Sequence, residues 1–432
     1  MTARLLLTDS PGERRAALVD ADGHLRDVVE DRDHAPPLLG GVFAGRVVRT
    51  HSAAGGAFVE IGAATPAYLP ARRALPAEGA AVVVQVTAEP HAEKAATVTD
   101  RPALTGGRLV YTPGRSGATV SRRVAGDTDR RALQSTLARL LADGEGAVAR
   151  RPALGADPES LAAELDALRA AWRRVEAADR TPPARLLAPP PAAVRALADH
   201  AAPEPKEILA ESHTLARRAA AWCATHRPDL ADRVTVWRET EDLPAAHGVE
   251  AALAEALDAV VPLPCGGRLV VEPTRALVAV DVDGGGAGAR RANEEAAAAL
   301  PAALRLRALG GQVVVDFLRG GRRQPLKDRV VDGAAEDPGD LKVHGFGPLG
   351  LLEMERQRRQ APLADRYGTP EAEGLAALRH LMAATRADPA APLRVTVPPA
   401  VARALEGSLA EAVAEAGRRL GGTVTVEAAG SQ

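Results

Sequence analysis

Arg268-Leu269-Val270-Val271-Glu272, Ala276-Leu277-Val278-Ala279-Val280-Asp281-Val282 and Gln312-Val313-Val314-Val315-Asp316-Phe317 are apolar, β-branched runs that each read as a strand, the first two joined by a turn at Pro273-Thr274-Arg275. Between the last two lie a glycine-rich loop, Asp283-Gly284-Gly285-Gly286, and a helical stretch from about Arg290 to Ala308. Pro301 is a kink point in it, and Gly310-Gly311 is expected to stop it. Strand, helix and strand of these lengths predict two parallel strands joined by a right-handed crossover. Parallel strands end on one edge of their sheet, where open α/β sheets place their sites. Asp281 and Asp283, at i and i+2, point to one face at the end of one strand, and Asp316 ends the other. If the strands are neighbours, the three carboxylates converge, and converging anions repel unless a cation neutralises them. Oxygen ligands on an open rim suit Mg²⁺ or Mn²⁺, and a hard cation there polarises phosphoryl groups and activates water. The competing reading is that each Asp caps a loop after its strand. That reading accounts for one Asp better than for three with two on a single face.

Working outward, the chain turns basic beyond Asp316: Arg319-Gly320-Gly321-Arg322-Arg323, Lys327 and Arg329, and later Glu355-Arg356-Gln357-Arg358-Arg359. A cationic strip beside a metal site would hold the phosphates of a polyanion. A solvated charged face accounts for the same residues equally well. Upstream, residues 42–48, 57–61, 67–69 and 81–86 are short β-rich runs separated by turn residues, which predicts a small barrel or sandwich, with 108–111 as a further strand. The chain has only 4 Phe, 3 Tyr and 3 Trp, so the position of Phe43, Phe58 and Tyr68 inside that barrel is informative. Small OB-type barrels stack single-stranded bases on such rings. The alternative is barrel core, the place expected for Phe43. Asp157-Pro158 opens a helix over 157–178 whose apolar face includes Trp172, expected to pack. Near the C-terminus a strand at 395–397, a helix over 400–420 and a strand at 423–427 repeat the strand–helix–strand logic.

A length of 432 residues predicts two to four modules. With 46% hydrophobic and 25% charged residues, the composition is that of a soluble globular protein, not a collagen-like, disordered or membrane one. Lys+Arg 54 against Asp+Glu 56 excludes a globally basic nucleic-acid-coating protein and leaves a local basic surface open. Among the cations only Lys94, Lys206, Lys327 and Lys342 are lysine, so single arginines carry little information. Cys223 and Cys265 stand apart; two buried structural thiols in a reducing cytosol are expected, with neither a disulfide framework nor a cysteine zinc site within the chain. No apolar run reaches the ~18 residues of a membrane span, and the N-terminal run is too short for a signal peptide; the expected location is cytoplasmic. The 10 His show no metal-ligand spacing, and Gly284-Gly285-Gly286 lacks a dinucleotide-binding context.

These residues resemble the ribonuclease E/G family. The resemblance is carried by Ala276 to Asp283, by Leu304-Arg305-Leu306-Arg307-Ala308-Leu309-Gly310-Gly311 through Asp316-Phe317, and by Gly350-Leu351-Leu352-Glu353-Met354-Glu355-Arg356-Gln357-Arg358. Phe43-Ala44-Gly45-Arg46-Val47-Val48 and Ala57 to Gly62 look like the family's S1-type domain, and Val120-Ser121-Arg122-Arg123-Val124 also fits. The resemblance implies an α/β and all-β multidomain fold. An S1-type OB barrel (39–115) would be inserted in a split RNase H-like unit (1–38 and 195–256), beside a 5′-sensor-like region (116–194). A DNase I-like α/β domain (257–365) and a small C-terminal α/β domain (366–432) would follow. It further implies an endoribonuclease that cuts single-stranded RNA with Mg²⁺-activated water and leaves a 5′-phosphate. By motif, Asp281 and Asp316 would hold the metal with Asp283 as auxiliary; Phe58, Tyr68 and Lys94 would grip RNA. Arg150 and Arg151 would lie at a 5′-monophosphate pocket, and Arg122 and Arg123 would also bind RNA.

The sequence also departs from the family pattern. Asp283 stands where the family has an assisting Asn, and Arg151 where it has a Thr beside the sensor Arg. Pro348-Leu349 lie where it has an Arg before the Gly-Leu-Leu-Glu-Met motif. Tyr367-Gly368-Thr369-Pro370 lie in place of its zinc-link cysteines, so zinc is not expected and any homo-oligomer would lack a zinc link. Two other readings stay open: a catalytically degenerate single-stranded RNA-binding protein, and a metal-dependent phosphoesterase with a purely structural barrel.

Overall fold

Residues 268–283 and 311–316 form strands because alternate side chains can be buried on one face. Leu269, Val271, Val278, Val280, Val282, Val313 and Val315 are all buried, and the residues between them are exposed or half-buried. In the computed structural model the strands Val260–Pro262, Arg268–Pro273, Val278–Asp283, Gly311–Asp316, Leu352–Arg356 and Lys342–Phe346 lie in that order in a six-stranded sheet. Val278–Asp283 and Gly311–Asp316 are parallel neighbours, as expected, and the other pairs are antiparallel. Helices Ala289–Leu306 and Arg323–Ala334 cover the buried face through Ala296, Ala297, Leu300, Leu304, Leu326 and Val330. The first of them ends at Leu306. The left-handed residue that stops it is Ala308 (φ 52), not the Gly310-Gly311 pair, and Leu309 N closes the turn on Leu304 O at 3.0 Å. Burial of the Ala308 methyl offsets a conformation that ordinarily selects glycine.

The structure describes residues 2–51, 55–70, 75–200, 204–320, 322–335 and 337–430. Gly321, within the basic run after Asp316, lies outside them. The chain divides into two compact units: Met1–Pro36, His200–Ala216 and Thr235–Gln432 form one, and Pro37–Asp199 with Arg217–Val234 the other. The first holds the six-stranded sheet. It also holds an antiparallel meander of Arg4–Ser10, Glu13–Val19 and Leu25–Arg32, to which Glu207–Ala210 adds parallel to the first strand. Its C-terminal part pairs Arg394–Val397 in parallel with Thr425–Ala428. The single helix expected over 400–420 is two, Pro399–Glu406 and Ala410–Leu420, broken at Gly407, where the chain leaves the helical region at φ −108, ψ −102.

In the second unit a barrel closes because Val42–His51 pairs with both Gly56–Glu60 and Ala81–Ala88. Ala67–Pro70 and Thr97–Thr99 complete the ring. Its interior is filled by Phe43, Val47, Val59, Ile61, Leu69, Val84, Val86 and Val98, so Phe43 is core as expected. Leu109–Thr112, placed with the barrel on sequence grounds, pairs instead with Gly146–Ala149 in the next sheet. Helix Pro158–Ala177 is capped by Asp157, whose carboxylate accepts from Ser160 N at 2.7 Å, and Trp172 packs against the core beneath it.

Candidate functional site

The strand register decides the first part of the site. Asp281 and Asp316 are directly paired positions of the two parallel strands, so their side chains leave the sheet on the same, solvent-facing side. Such neighbours have Cα atoms roughly 4.8 Å apart. Among the described residues neither carboxylate makes a hydrogen bond or an ion pair, so all their lone pairs are open. Glu353 is paired with Val314, two residues before Asp316, and therefore shares their face. Acceptor-only groups, side by side and unneutralised, form a donor set that fits a hard divalent cation.

Asp283 is on the same face but one row further out, paired with Arg268. Its carboxylate accepts from Gly285 N at 3.0 Å and pairs with Arg268 Nη2 at 2.7 Å. The Gly285 amide first, and then the Arg268 guanidinium, hold its carboxyl below the usual range. The three aspartates thus share an edge and a face, and only Asp281 and Asp316 are unneutralised. Asn293 was not singled out by the sequence. Fully buried in helix Ala289–Leu306, it accepts from Leu318 N at 3.0 Å and donates to Leu318 O at 2.9 Å, pinning the loop that follows Asp316. An amide on the apolar face of that helix was the available signal.

The basic segments separate by partner. Arg356 is buried, bonded through Nε and Nη2 to Asp337 at 2.6 and 2.8 Å and to Leu309 O at 2.8 Å; it belongs to the core, not to a cationic strip. Arg358 donates to Gly310 O at 2.8 Å. Arg319, Arg322 and Arg323 are exposed. Cys265, expected to be buried like Cys223, is partly exposed, because it sits at the loop end where its amide donates to Glu295.

In the barrel, Phe58 and Tyr68 are directly paired on adjacent strands, half-buried, with ring centroids 5.7 Å apart. Gly56 must be glycine, since a Cβ there would fall 2.5 Å from the Tyr68 ring. Arg49, which no motif in the sequence marks, places its guanidinium 4.9 Å from the Phe58 centroid. Phe58, Arg49 and Val48 line a groove whose rim includes Pro90 and Lys94. The aromatic face of Phe58, in a groove that two cations also line, suits a stacked base and the phosphate beside it.

The four remaining arginines gather at one place in the second unit. Gly117–Val120 and Gly146–Ala149 are parallel neighbours, with Val120 opposite Ala149, so Arg122 and Arg123 leave the same edge as Arg150 and Arg151. Arg130, also unanticipated, braces that turn by donating to Ser121 O at 2.7 Å and Val124 O at 3.1 Å. Arg150 is largely committed internally, to Gly106 O at 3.0 Å, Ala198 O at 2.6 Å and Asp199 at 3.1 Å. Arg122, Arg123 and Arg151 are exposed. Elsewhere, among the described residues, Asp20, Asp22 and His24 bring ligand atoms within 4.8 Å of one another. There Asp20 already accepts from the amides of Asp22 and His24 and from Arg26, which makes it a turn brace.

Fold and site together define a mixed α/β multidomain protein with a closed five-stranded barrel and a carboxylate pair on the rim of a separate α/β sheet. The sequence pattern of the ribonuclease E/G family matches residues 103–359, more than half of the chain, and the protein belongs to that family. The chain is similar to "Ribonuclease G" of Salmonella typhimurium, 27% identical over 99% of this chain and 97% of that protein. It is also similar to "Ribonuclease G" of Haemophilus influenzae, 29% identical over 83% of this chain and 80% of that one. "Ribonuclease E" of the same organism is 30% identical over 84% of this chain and 42% of its own length. Among the described residues no helix is long and apolar enough to cross a membrane.

Proposed function

We propose that the protein is an endoribonuclease of RNA processing or turnover that hydrolyses single-stranded RNA and leaves a 5′-phosphate on the downstream product. The observation that carries this reading is the register pairing of Asp281 with Asp316 on the solvent-facing side of the sheet. These two side chains would hold Mg²⁺, or Mn²⁺ in its place. Asp283, paired with Arg268, acts as an orienting neighbour and auxiliary acceptor. When bound, the cation supplies Lewis-acid polarisation of the phosphodiester and activation of water. Asn293 holds the loop after Asp316 still. Phe58 and Tyr68 stack bases, while Arg49 and Lys94 hold the adjoining phosphates. Arg122, Arg123 and Arg151 form the surface for a 5′-monophosphate end, with Arg150 positioning it from behind.

We assign the module boundaries given above to the same reading, except that the barrel ends before Leu109–Thr112, which pairs in the next sheet; a cytoplasmic location and any homo-oligomer formed without zinc go with it. Cleavage of 5′-monophosphorylated and 5′-hydroxyl oligoribonucleotides, with and without Mg²⁺, tests it. The expected result is Mg²⁺-dependent cleavage that is faster on the monophosphorylated strand; no product under any metal or salt condition would sink the enzymatic reading. Phe58→Ala and Tyr68→Ala should each weaken binding of an unstructured strand by about 1–3 kcal/mol, one stacked base apiece. Unchanged affinity in a filter-binding titration would make the barrel rings structural. A second reading, an RNA binder that does not cut, draws on the hairpin tip Gly347-Pro348-Leu349-Gly350, which brings no cation of its own to the sheet edge.

A further inference from the structure

The tip of the hairpin between Lys342–Phe346 and Leu352–Arg356 flanks the carboxylate edge. Leu352 is paired with Val315, so Gly350 and Leu351 come alongside Asp316. The tip itself offers only glycine, proline and a largely exposed Leu349. A cation arrives there from another element. Arg323, at the start of helix Arg323–Ala334, sets its guanidinium 5.4 Å from the centroid of the Phe346 ring. Its Nη2 also lies against Gly350, where a Cβ would fall 2.9 Å away; it is the left-handed backbone of Gly350, at φ 86, that calls for glycine there. Among the described residues Arg323 makes no ion pair and no side-chain hydrogen bond. Other cations of this sheet are spent: Arg268 is paired with Asp283, Arg356 with Asp337, and Lys327 donates to His344 O at 3.3 Å. Among the described residues Arg319 and Arg322 are exposed and equally without an ion pair or side-chain hydrogen bond, but neither lies over a ring. Arg323 is therefore a cation held in position by an aromatic face with its N–H groups unspent.

We propose that Arg323, stacked on Phe346, is a phosphate-binding residue for the RNA strand at the Asp281–Asp316 edge. A guanidinium fixed by a ring loses little freedom on binding and presents its planar fork to a phosphodiester. The inference rests on the reading of this edge as an RNA site.

Its test measures binding, which needs no turnover. Equilibrium titrations of an unstructured 2′-O-methyl oligoribonucleotide over a salt series would compare the native chain, Arg323→Gln, Arg323→Lys and Phe346→Leu. The expected result is that Arg323→Gln weakens binding by about fivefold to tenfold at low salt. It should also flatten the log–log salt slope by about 0.7, one phosphate on a single strand. Arg323→Lys should keep the slope, and Phe346→Leu should lose affinity with the slope kept. A single neutral methylphosphonate walked along the strand should reveal a linkage to which the native chain is sensitive and Arg323→Gln is not. An unchanged slope and an unchanged methylphosphonate profile in Arg323→Gln, with or without a lowered Tm, overturn the proposal and leave Arg323 as a cover for Phe346. Absence of Mg²⁺-dependent cleavage by the native chain is a different failure: it removes the endoribonuclease reading while the salt slope still decides the role of Arg323.

Discussion

Asp281→Asn or Asp316→Asn lowers kcat on an unstructured oligoribonucleotide by about three orders of magnitude, with binding of the same strand unchanged or slightly tighter. Lewis-acid stabilisation by a cation is worth several kcal/mol, and each ~1.4 kcal/mol is tenfold in rate. Asparagine keeps the shape of the side chain but removes one of the two open carboxylates that face the same side from paired positions. Both positions are solvent-facing, so the fold has no buried charge to lose. Binding should tighten if anything, because a negative charge is removed from a surface that meets phosphates. The double variant should be little worse than either single one, as expected of groups that act as a unit. Single-turnover assays with a parallel binding titration check this, and near-normal cleavage by either single variant would refute the assignment.

Glu13→Gln is the largest expected change in stability. Glu13 is 1% exposed, and its carboxylate accepts from Arg32 Nε at 2.8 Å, lies 3.6 Å from Arg15 Nε and is bonded to Arg379. Burial pushes its carboxyl up; the charges of Arg379, Arg15 and Arg32 outweigh this and bring it from 4.5 down to about 2. Removing the charge strands buried guanidinium groups, a loss of about 3–5 kcal/mol. The sign with pH follows from the depressed value. Between 4.5 and about 2 the unfolded chain binds a proton that the folded chain does not. The contribution of Glu13 is thus fully present above 4.5 and lost as pH falls through about 2. Urea unfolding at neutral pH and across pH 5 to 3 should show native stability falling toward that of Glu13→Gln, whose own profile is flatter. Equal stability of the two chains at neutral pH would overturn the account.

The strands at 268–283 and 311–316 were legible because period-two apolar patterning survives in a single sequence. Helix 157–178 was legible because its cap and apolar face agree. The break at Gly407 was not, since Val401, Leu405, Leu409 and Val413 keep helical spacing straight through Gly407-Ser408, and both pieces pack on one core. Nor was the stop at Ala308, where burial of a methyl overrides the local preference for glycine. Of the candidate site, the aspartates could be read from their places at strand ends. The separation of Arg356 and Arg323 could not: one is spent on Asp337 and the other rests on Phe346, though both lie in basic runs.

The order of amino acids alone tells which residues form strands, which carboxylates stand at their ends and which aromatics belong to the barrel. These follow from local periodicity and residue chemistry. The tertiary structure decided that Asp281 faces Asp316, that Asp283 faces Arg268, and that Glu13 is met by Arg379 from 366 residues away. Register and long-range charge pairing depend on which surfaces the packed core brings together. No local stretch of chain encodes that information alone.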